Sequence, residues 1–184
     1  FGGIVQNQGI MEATFNYRFW NAIACEAVTS AEKLKEGIKE CIIRDKVKQD
    51  DFKGIDMEKC YIDFLNSDLF EDMKHLQNIK LIFNTITDLP SQAFKSLGDL
   101  TEINIGFNTI ESMDKDVFVG SEKVKNLYFY GNKIDNVPEG IFDTLTELEL
   151  AKLHNNNLRV ITPDTFKNNN FITLLWLSGN KIKK

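Results

Sequence analysis

One asparagine recurs at a fixed spacing between residues 76 and 182. Five asparagines lie 24 residues apart: Asn84, Asn108, Asn132, Asn156 and Asn180. The residues around each follow one order of apolar and polar positions, L-x-x-L-x-L-x-x-N-x-L. Around the first of them, the apolar positions hold Leu76, Ile79, Leu81 and Ile86. A constant period of this length is typical of stacked repeats in which each unit contacts only its neighbours. The chain is therefore predicted to fold as a solenoid.

A second ladder, of phenylalanine, keeps the same register. Its members are Phe70, Phe94, Phe118, Phe142 and Phe166. The L-x-L pair before each asparagine predicts a short strand whose apolar side chains point inward, because side chains alternate along a strand. Stacked strands then form a parallel sheet on the concave side, and the phenylalanines fill the convex side of the core. Each asparagine lies in the bend after its strand, where the amide can bond backbone groups of neighbouring coils.

The register extends toward the N-terminus if Cys60 takes the asparagine position, 24 residues before Asn84. The repeats then occupy residues 51–184, with about five full repeats and the start of a sixth. Residues 1–50 are predicted to form a cap over the first coil. In this cap, the alternating aromatic residues of 15–19 favour a strand, and a capping box at Thr29 and Glu32 favours a short helix over 30–42.

The repeated pattern resembles that of the leucine-rich repeat family. Its second half, I-x-x-L-P-x-x-x-F-x-x-L, runs from Ile86 to Leu97 and, with Val in place of Leu, from Ile134 to Leu145. This half is similar to the extracellular 24-residue class found in Toll and Slit ectodomains and in secreted insect immune proteins. The resemblance implies an α/β fold: a right-handed solenoid with a concave parallel β-sheet, convex loops or short helical turns, and an N-terminal cap. It also implies a secreted protein that acts in innate immunity or host interaction.

The chain has three cysteines. Caps of extracellular leucine-rich domains usually carry disulfides, so the resemblance implies a Cys25–Cys41 bond, with Cys41–Cys60 as the alternative pairing. The family pattern accepts cysteine at the asparagine position, so Cys60 is expected to stay a buried thiol in the ladder. The cysteines do not have zinc-site spacing, and His75 and His154 lie far from them in register. No metal site and no cofactor is predicted.

Charge and motifs argue against several function classes. The net charge is −5, with acidic and basic residues interspersed, which argues against nucleic acid or an anionic membrane as partner. No apolar run approaches the roughly 18 residues of a transmembrane helix. The chain contains no nucleophile elbow, phosphate loop or H-E-x-x-H motif, so it is predicted not to be an enzyme.

The prediction of function depends on the residues at the outward positions of the strands. Residues four and two before each asparagine point outward, and the residue directly before it lies at the strand end. These positions hold a predominantly aromatic set: Phe83, Phe107, Tyr128, Tyr130, Lys152, His154 and Trp176. Exposed contiguous aromatic side chains mark interaction surfaces, so this set predicts a binding face for a protein partner. The alternative is that some rings, Phe83 and Phe107 first, pack on one another or against the cap.

Two other functions stay open. The last coil contains Trp176 and Leu177 and is not followed by a cap sequence, and an uncapped coil exposes apolar surface and a strand edge. The chain would then be a structural scaffold that forms homo-oligomers through its C-terminal coil. A row of aromatic rings would also suit a carbohydrate ligand.

Overall fold

The computed structural model describes residues 53–60, 62–71 and 73–183, together with the backbone of three short strands before them. The strands are β1 (Val5–Asn7), β2 (Ile10–Glu12), β3 (Asn21–Ala22), β4 (Gly54–Asp56), β5 (Asn78–Lys80), β6 (Asp88–Leu89), β7 (Glu102–Asn104), β8 (Ser112–Met113), β9 (Asn126–Tyr128), β10 (Leu150–Lys152) and β11 (Leu174–Trp176). Within the described part of the chain, the helical element is a 3₁₀ helix, Pro163–Phe166.

The predicted strand over 15–19 and helix over 30–42 lie outside the described residues. The division into a cap of residues 1–50 and repeats from residue 51 therefore stays a prediction.

Seven strands of the described chain form one parallel sheet, in the order β3-β4-β5-β7-β9-β10-β11. From β4 onward the strands keep the 24-residue register, so that Ile55 lies beside Ile79 and Ile79 beside Ile103. The middle residue of each inner strand of the repeats is buried, as alternation requires. β3 joins β4 in a different register, with Asn21 beside Ile55. The predicted solenoid with a parallel sheet is confirmed.

The opposite side of the core contains the phenylalanine ladder. Phe94 and Phe118 have ring centroids 6.5 Å apart, Phe118 and Phe142 6.1 Å, and Phe142 and Phe166 5.0 Å. Phe166 is partly buried, while the four earlier rings, including Phe70, are buried. The segments that follow Asn84 and Asn108 add β6 and β8, which pair in parallel as a separate two-stranded sheet, as β1 and β2 pair antiparallel in another.

The asparagine ladder ties each coil to the preceding one. The side-chain oxygen of Asn84 accepts hydrogen bonds from the backbone N–H groups of Cys60 at 2.8 Å and Ile62 at 3.1 Å. The side-chain nitrogen of Asn84 donates to the backbone carbonyls of Met57 and Leu81, both at 2.9 Å. Each later ladder asparagine likewise donates to a carbonyl of its own coil and to one of the coil before. These contacts satisfy backbone groups that the bend would otherwise bury without partners.

The prediction that Cys60 is a free thiol is wrong. The Cys60 side chain is buried at the ladder position, but it is disulfide-bonded and is not the expected free thiol. Cys25 and Cys41 lie outside the described residues. The expected Cys25–Cys41 pair and its alternative, Cys41–Cys60, therefore stay predictions.

Candidate functional site

Each strand of the repeats presents three outward positions, which lie six, four and two residues before its ladder residue. The parallel register places equivalent positions of successive coils side by side, with Lys80 beside Asn104 and Asn104 beside Tyr128. Since neighbouring strands lie about 4.8 Å apart, the outward side chains form continuous columns across the sheet.

The residue directly before the ladder residue has a left-handed backbone in all six coils. These residues, with their φ angles, are Lys59 (58°), Phe83 (57°), Phe107 (52°), Gly131 (69°), Asn155 (55°) and Gly179 (68°). Glycine and asparagine enter this region readily, whereas it costs a residue such as phenylalanine about 1–2 kcal/mol. Phe83 and Phe107 adopt this backbone although their side chains stay 47% and 46% exposed. Because the conformation recurs in all six coils, it is a feature of the turn of the repeat.

Five rings on this face form a continuous row of contacts, which we call the aromatic ridge: Phe83, Phe107, Tyr130, His154 and Trp176. Phe83 and Phe107 stack with centroids 4.8 Å apart and planes 1° apart. Tyr130 meets Phe107 edge-on at 5.2 Å. His154 stacks between Tyr130, at 5.1 Å, and Trp176, at 4.3 Å. The ridge therefore crosses the sheet diagonally, from strand ends in the early coils to the strand itself in the last.

Two lysines extend the row of ring contacts. The Lys59 ammonium lies 5.4 Å from the ring centroid of Phe83, at the first end of the ridge. The Lys152 ammonium lies 5.3 Å from the ring of Tyr128 and 5.4 Å from that of Trp176. Tyr128 is thus joined to the ridge through a cation rather than through a ring contact.

Two glycines allow the rings to lie against the backbone. A Cβ at Gly106 would lie 2.7 Å from the ring of Tyr130, and a Cβ at Gly131 would lie 2.7 Å from the ring of Phe107. No real side chain fits at these distances. The rings of Tyr130 and Phe107 can therefore occupy these positions only because the neighbouring coil has no side chain there.

The surroundings of His154 disfavour the protonated form of its imidazole. Burial between two rings is the larger cause that lowers its pKa from the ordinary 6.5, and the charge of Lys152 is the smaller. Its Nδ1 is buried and has no hydrogen-bond partner among the described residues. A proton added there would face an apolar ring environment and a nearby ammonium.

Acidification should therefore destabilise the fold through His154. The unfolded chain takes up this proton near pH 6.5, whereas the folded chain takes it up at lower pH, so stability is fully present above pH 6.5 and falls as the pH drops through this window. We expect the free energy of unfolding to fall more between pH 7.5 and pH 5.5 for the wild type than for His154→Gln, measured by urea denaturation. Equal pH dependence of the two proteins would contradict this.

A compact ion cluster joins the outward positions of the first two coils. The Lys80 ammonium lies 3.0 Å from an Asp56 oxygen and 2.9 Å from a Glu58 oxygen. Burial acts to lower the pKa of Lys80, but the hydrogen bonds to the two carboxylates outweigh it and raise the pKa overall. Lys80 is thus internally neutralised and offers little charge to a ligand.

The structure places five of the seven predicted residues in the ridge, with Tyr128 and Lys152 beside it. Phe83 and Phe107 pack on one another, as the alternative allowed, yet stay nearly half exposed. The sequence prediction missed Leu150 and Leu174, which occupy the outward position six residues before the ladder; Leu174 is 43% exposed. Extending the alternation by one step would have found both.

Within residues 53–183, apart from the undescribed positions 61 and 72, no group of histidine, cysteine or acidic side chains is arranged to hold a metal ion. The same part of the chain has no helix of the length and apolar character needed to cross a bilayer.

Residues 53–108, 74–134 and 122–182 match the leucine-rich repeat family model, and the chain belongs to this family.

Two solved structures share its fold. The crystal structure of the TLR13–ssRNA13 complex has a TM-score of 0.72 and 22% identity, over 84% of this chain and 24% of that one. The Drosophila Toll–Spatzle complex has a TM-score of 0.67 and 23% identity, over 71% of this chain and 18% of that one. The chain therefore spans a quarter or less of these proteins. No curated protein sequence matches it.

Proposed function

We propose that this chain is a non-enzymatic recognition module that binds a protein partner through the aromatic ridge. The observation that carries the proposal is the continuous row of ring contacts from Phe83 to Trp176 on the outward side of the sheet. Tyrosine and tryptophan are typical hot-spot residues of protein interfaces, and contiguous exposed aromatic surface is rare away from binding sites.

The ridge is also pre-organised. Tyr130 lies against Gly106, Phe107 lies against Gly131, and each ring touches the next. Side chains that are already fixed lose little entropy when a partner binds, which favours affinity.

A protein suits this surface better than a nucleic acid. The chain carries a net charge of −5, and Lys80 on the same face is neutralised by two carboxylates. Binding to a phosphate backbone depends on several free cations, which this face does not concentrate. The solved complexes of similar fold contain an RNA in one case and the protein Spatzle in the other. For this chain we propose a protein partner and a role in immune or host interaction.

Ridge variants provide the test. We expect Tyr130→Ala and Phe107→Ala to weaken partner binding by about 30-fold or more, as for hot-spot residues. Gly106→Ala should also weaken it, although it removes no contact atom, because the new methyl displaces the Tyr130 ring. Gly98→Ala is the matched control, since a Cβ there meets nothing within 4 Å.

In the experiment, each variant is used to capture proteins from the extracellular fluid of the source tissue, and the captured proteins are compared. Support requires one protein that is retained by the wild type and Gly98→Ala, lost with Gly106→Ala and Tyr130→Ala, and then bound directly when purified. If the same proteins are retained by all four, or none is retained, the ridge is not the binding surface.

Self-assembly is the second candidate, and an apolar surface on the last coil favours it. Phe171, Leu175 and Ile182 are 65%, 38% and 39% exposed there. In this alternative a second copy covers these residues, and light scattering after size exclusion gives a dimer mass that Leu175→Lys converts to a monomer. A monomer mass for the wild type at all concentrations would remove it.

The proposed compartment is extracellular or lumenal, because structural disulfides persist in oxidising environments and Cys60 is disulfide-bonded. Alkylation of the denatured, unreduced protein from its native source, followed by intact-mass measurement, should label one of the three cysteines. Peptide mapping should show that Cys60 is not the labelled one. Three labelled cysteines would place the protein in a reducing compartment instead.

A further inference from the structure

The outer face of the central coils carries a polar cluster beside the ridge, which we call the amide patch: Asn78, Glu102, Asn104 and Asn126. Asn78, Glu102 and Asn126 lie side by side on β5, β7 and β9. Asn104 lies two residues after Glu102 and so points to the same face. All four residues are half-buried.

Most of the hydrogen-bonding capacity of the patch is unused. A carboxamide offers two N–H donors and a carbonyl acceptor. Within the described residues, Asn78 makes no side-chain hydrogen bond. Asn104 uses its oxygen alone, which accepts from the Gly106 N–H at 3.3 Å. Asn126 uses its nitrogen alone, which donates to Glu102 at 3.5 Å, the outer limit for such a bond. A ligand can therefore bond these groups without breaking strong contacts.

Two tyrosine rings border the patch. Tyr128 lies directly beside Asn104 on the next strand. The ring of Tyr130 lies over Gly106, two residues after Asn104. Burial raises the pKa of Tyr128, and the nearby Glu102 carboxylate adds to the effect. Amide groups and flat apolar ring faces are thus close neighbours here.

Sugar rings present the complementary chemistry. Their hydroxyl and acetamido groups both donate and accept hydrogen bonds, as carboxamides do, and their C–H faces pack on aromatic rings. An extended peptide fits this patch less well, because β5, β7 and β9 are each paired on both sides and offer no main-chain edge. Beside the asparagines an acidic sugar would meet the Glu102 carboxylate, and the neighbouring Lys80 is held by Asp56 and Glu58. Lys152, whose ammonium lies 5.3 Å from the Tyr128 ring, is the cation that a sulfated probe tests.

We propose that the amide patch binds a neutral oligosaccharide, with Asn104 and Asn126 as its hydrogen-bonding residues and Tyr128 as the stacking ring. This inference goes beyond the protein recognition proposed above. It does not depend on that function, because the probes described next contain no protein.

The test is calorimetric titration of the whole chain with chitotetraose, cellotetraose and a sulfated heparin tetrasaccharide. At least one of the neutral sugars should bind the wild type, and Asn104→Ala and Asn126→Ala should each weaken it by about tenfold, as for loss of one hydrogen bond. Asn136→Ala is the matched control, because Asn136 is exposed and lies outside the main sheet. It should bind as the wild type does.

Three results would overturn the proposal: no binding of either neutral sugar, tighter binding of the heparin tetrasaccharide, or wild-type affinity in both asparagine variants. Far-UV circular dichroism checks that each variant is folded. If Asn104→Ala is unfolded, Asn126→Ala alone decides, since its side chain makes only one long hydrogen bond.

Discussion

Phe118→Ala should lower the free energy of unfolding by about 3–5 kcal/mol, the usual cost of removing a buried aromatic side chain. The Phe118 ring is fully buried, with centroids 6.5 Å from Phe94, 6.1 Å from Phe129 and 6.1 Å from Phe142. It lies in a middle coil, so the cavity would be bounded by packed coils on both sides and could not easily collapse. Urea unfolding followed by circular dichroism and by tryptophan fluorescence measures the loss.

Phe171→Ala is the control for this prediction. Phe171 is the same residue type but is 65% exposed, so its removal should change stability by less than about 0.5 kcal/mol. Domains of this size are stable by only about 5–15 kcal/mol, so the expected loss in Phe118→Ala is large enough to move the transition strongly. If the two variants unfolded at the same urea concentration, the phenylalanine ladder would not be a packed spine.

The backbone register could be predicted from the sequence because a solenoid repeats its own hydrogen bonds. Once Asn84 and Asn108 are known to be equivalent, their strands must pair with the same 24-residue offset, and Ile79 must lie beside Ile103 on the inner face of the sheet. Burial of the inward positions follows from alternation alone. Periodicity therefore determines the fold and the face to which each side chain belongs.

Periodicity does not determine how outward side chains lie on that face. The Tyr130 ring leans over the preceding coil because Gly106 has no side chain, and this depends on a pair of residues in different repeats. The bond at Cys60 likewise breaks the pattern of the ladder, since every other described ladder position holds an asparagine. The candidate site is built from such departures from the repeat, so its residues could be predicted but their contacts could not.

Asn132→Ala should destabilise the fold by about 1–3 kcal/mol, although it removes only a small side chain. The Asn132 amide donates to the carbonyls of Ile105 at 3.1 Å and Phe129 at 3.0 Å, and its oxygen accepts from the Ile110 N–H at 3.1 Å. All these bonds are buried, so alanine would leave backbone groups without partners in the bend between two coils. Urea denaturation measures the change.

Asn132→Asp separates hydrogen bonding from shape in this prediction. Aspartate fills the same space and keeps the acceptor for Ile110, but it loses both donors and places a carboxylate oxygen against the carbonyls of Ile105 and Phe129. It should therefore destabilise the fold at neutral pH at least as much as alanine does. Asn136→Ala, in the same coil but exposed, should stay within about 0.5 kcal/mol of the wild type. If Asn132→Ala were as mild as this control, water would be replacing the amide in the bend, and the ladder would mark the repeat without stabilising it.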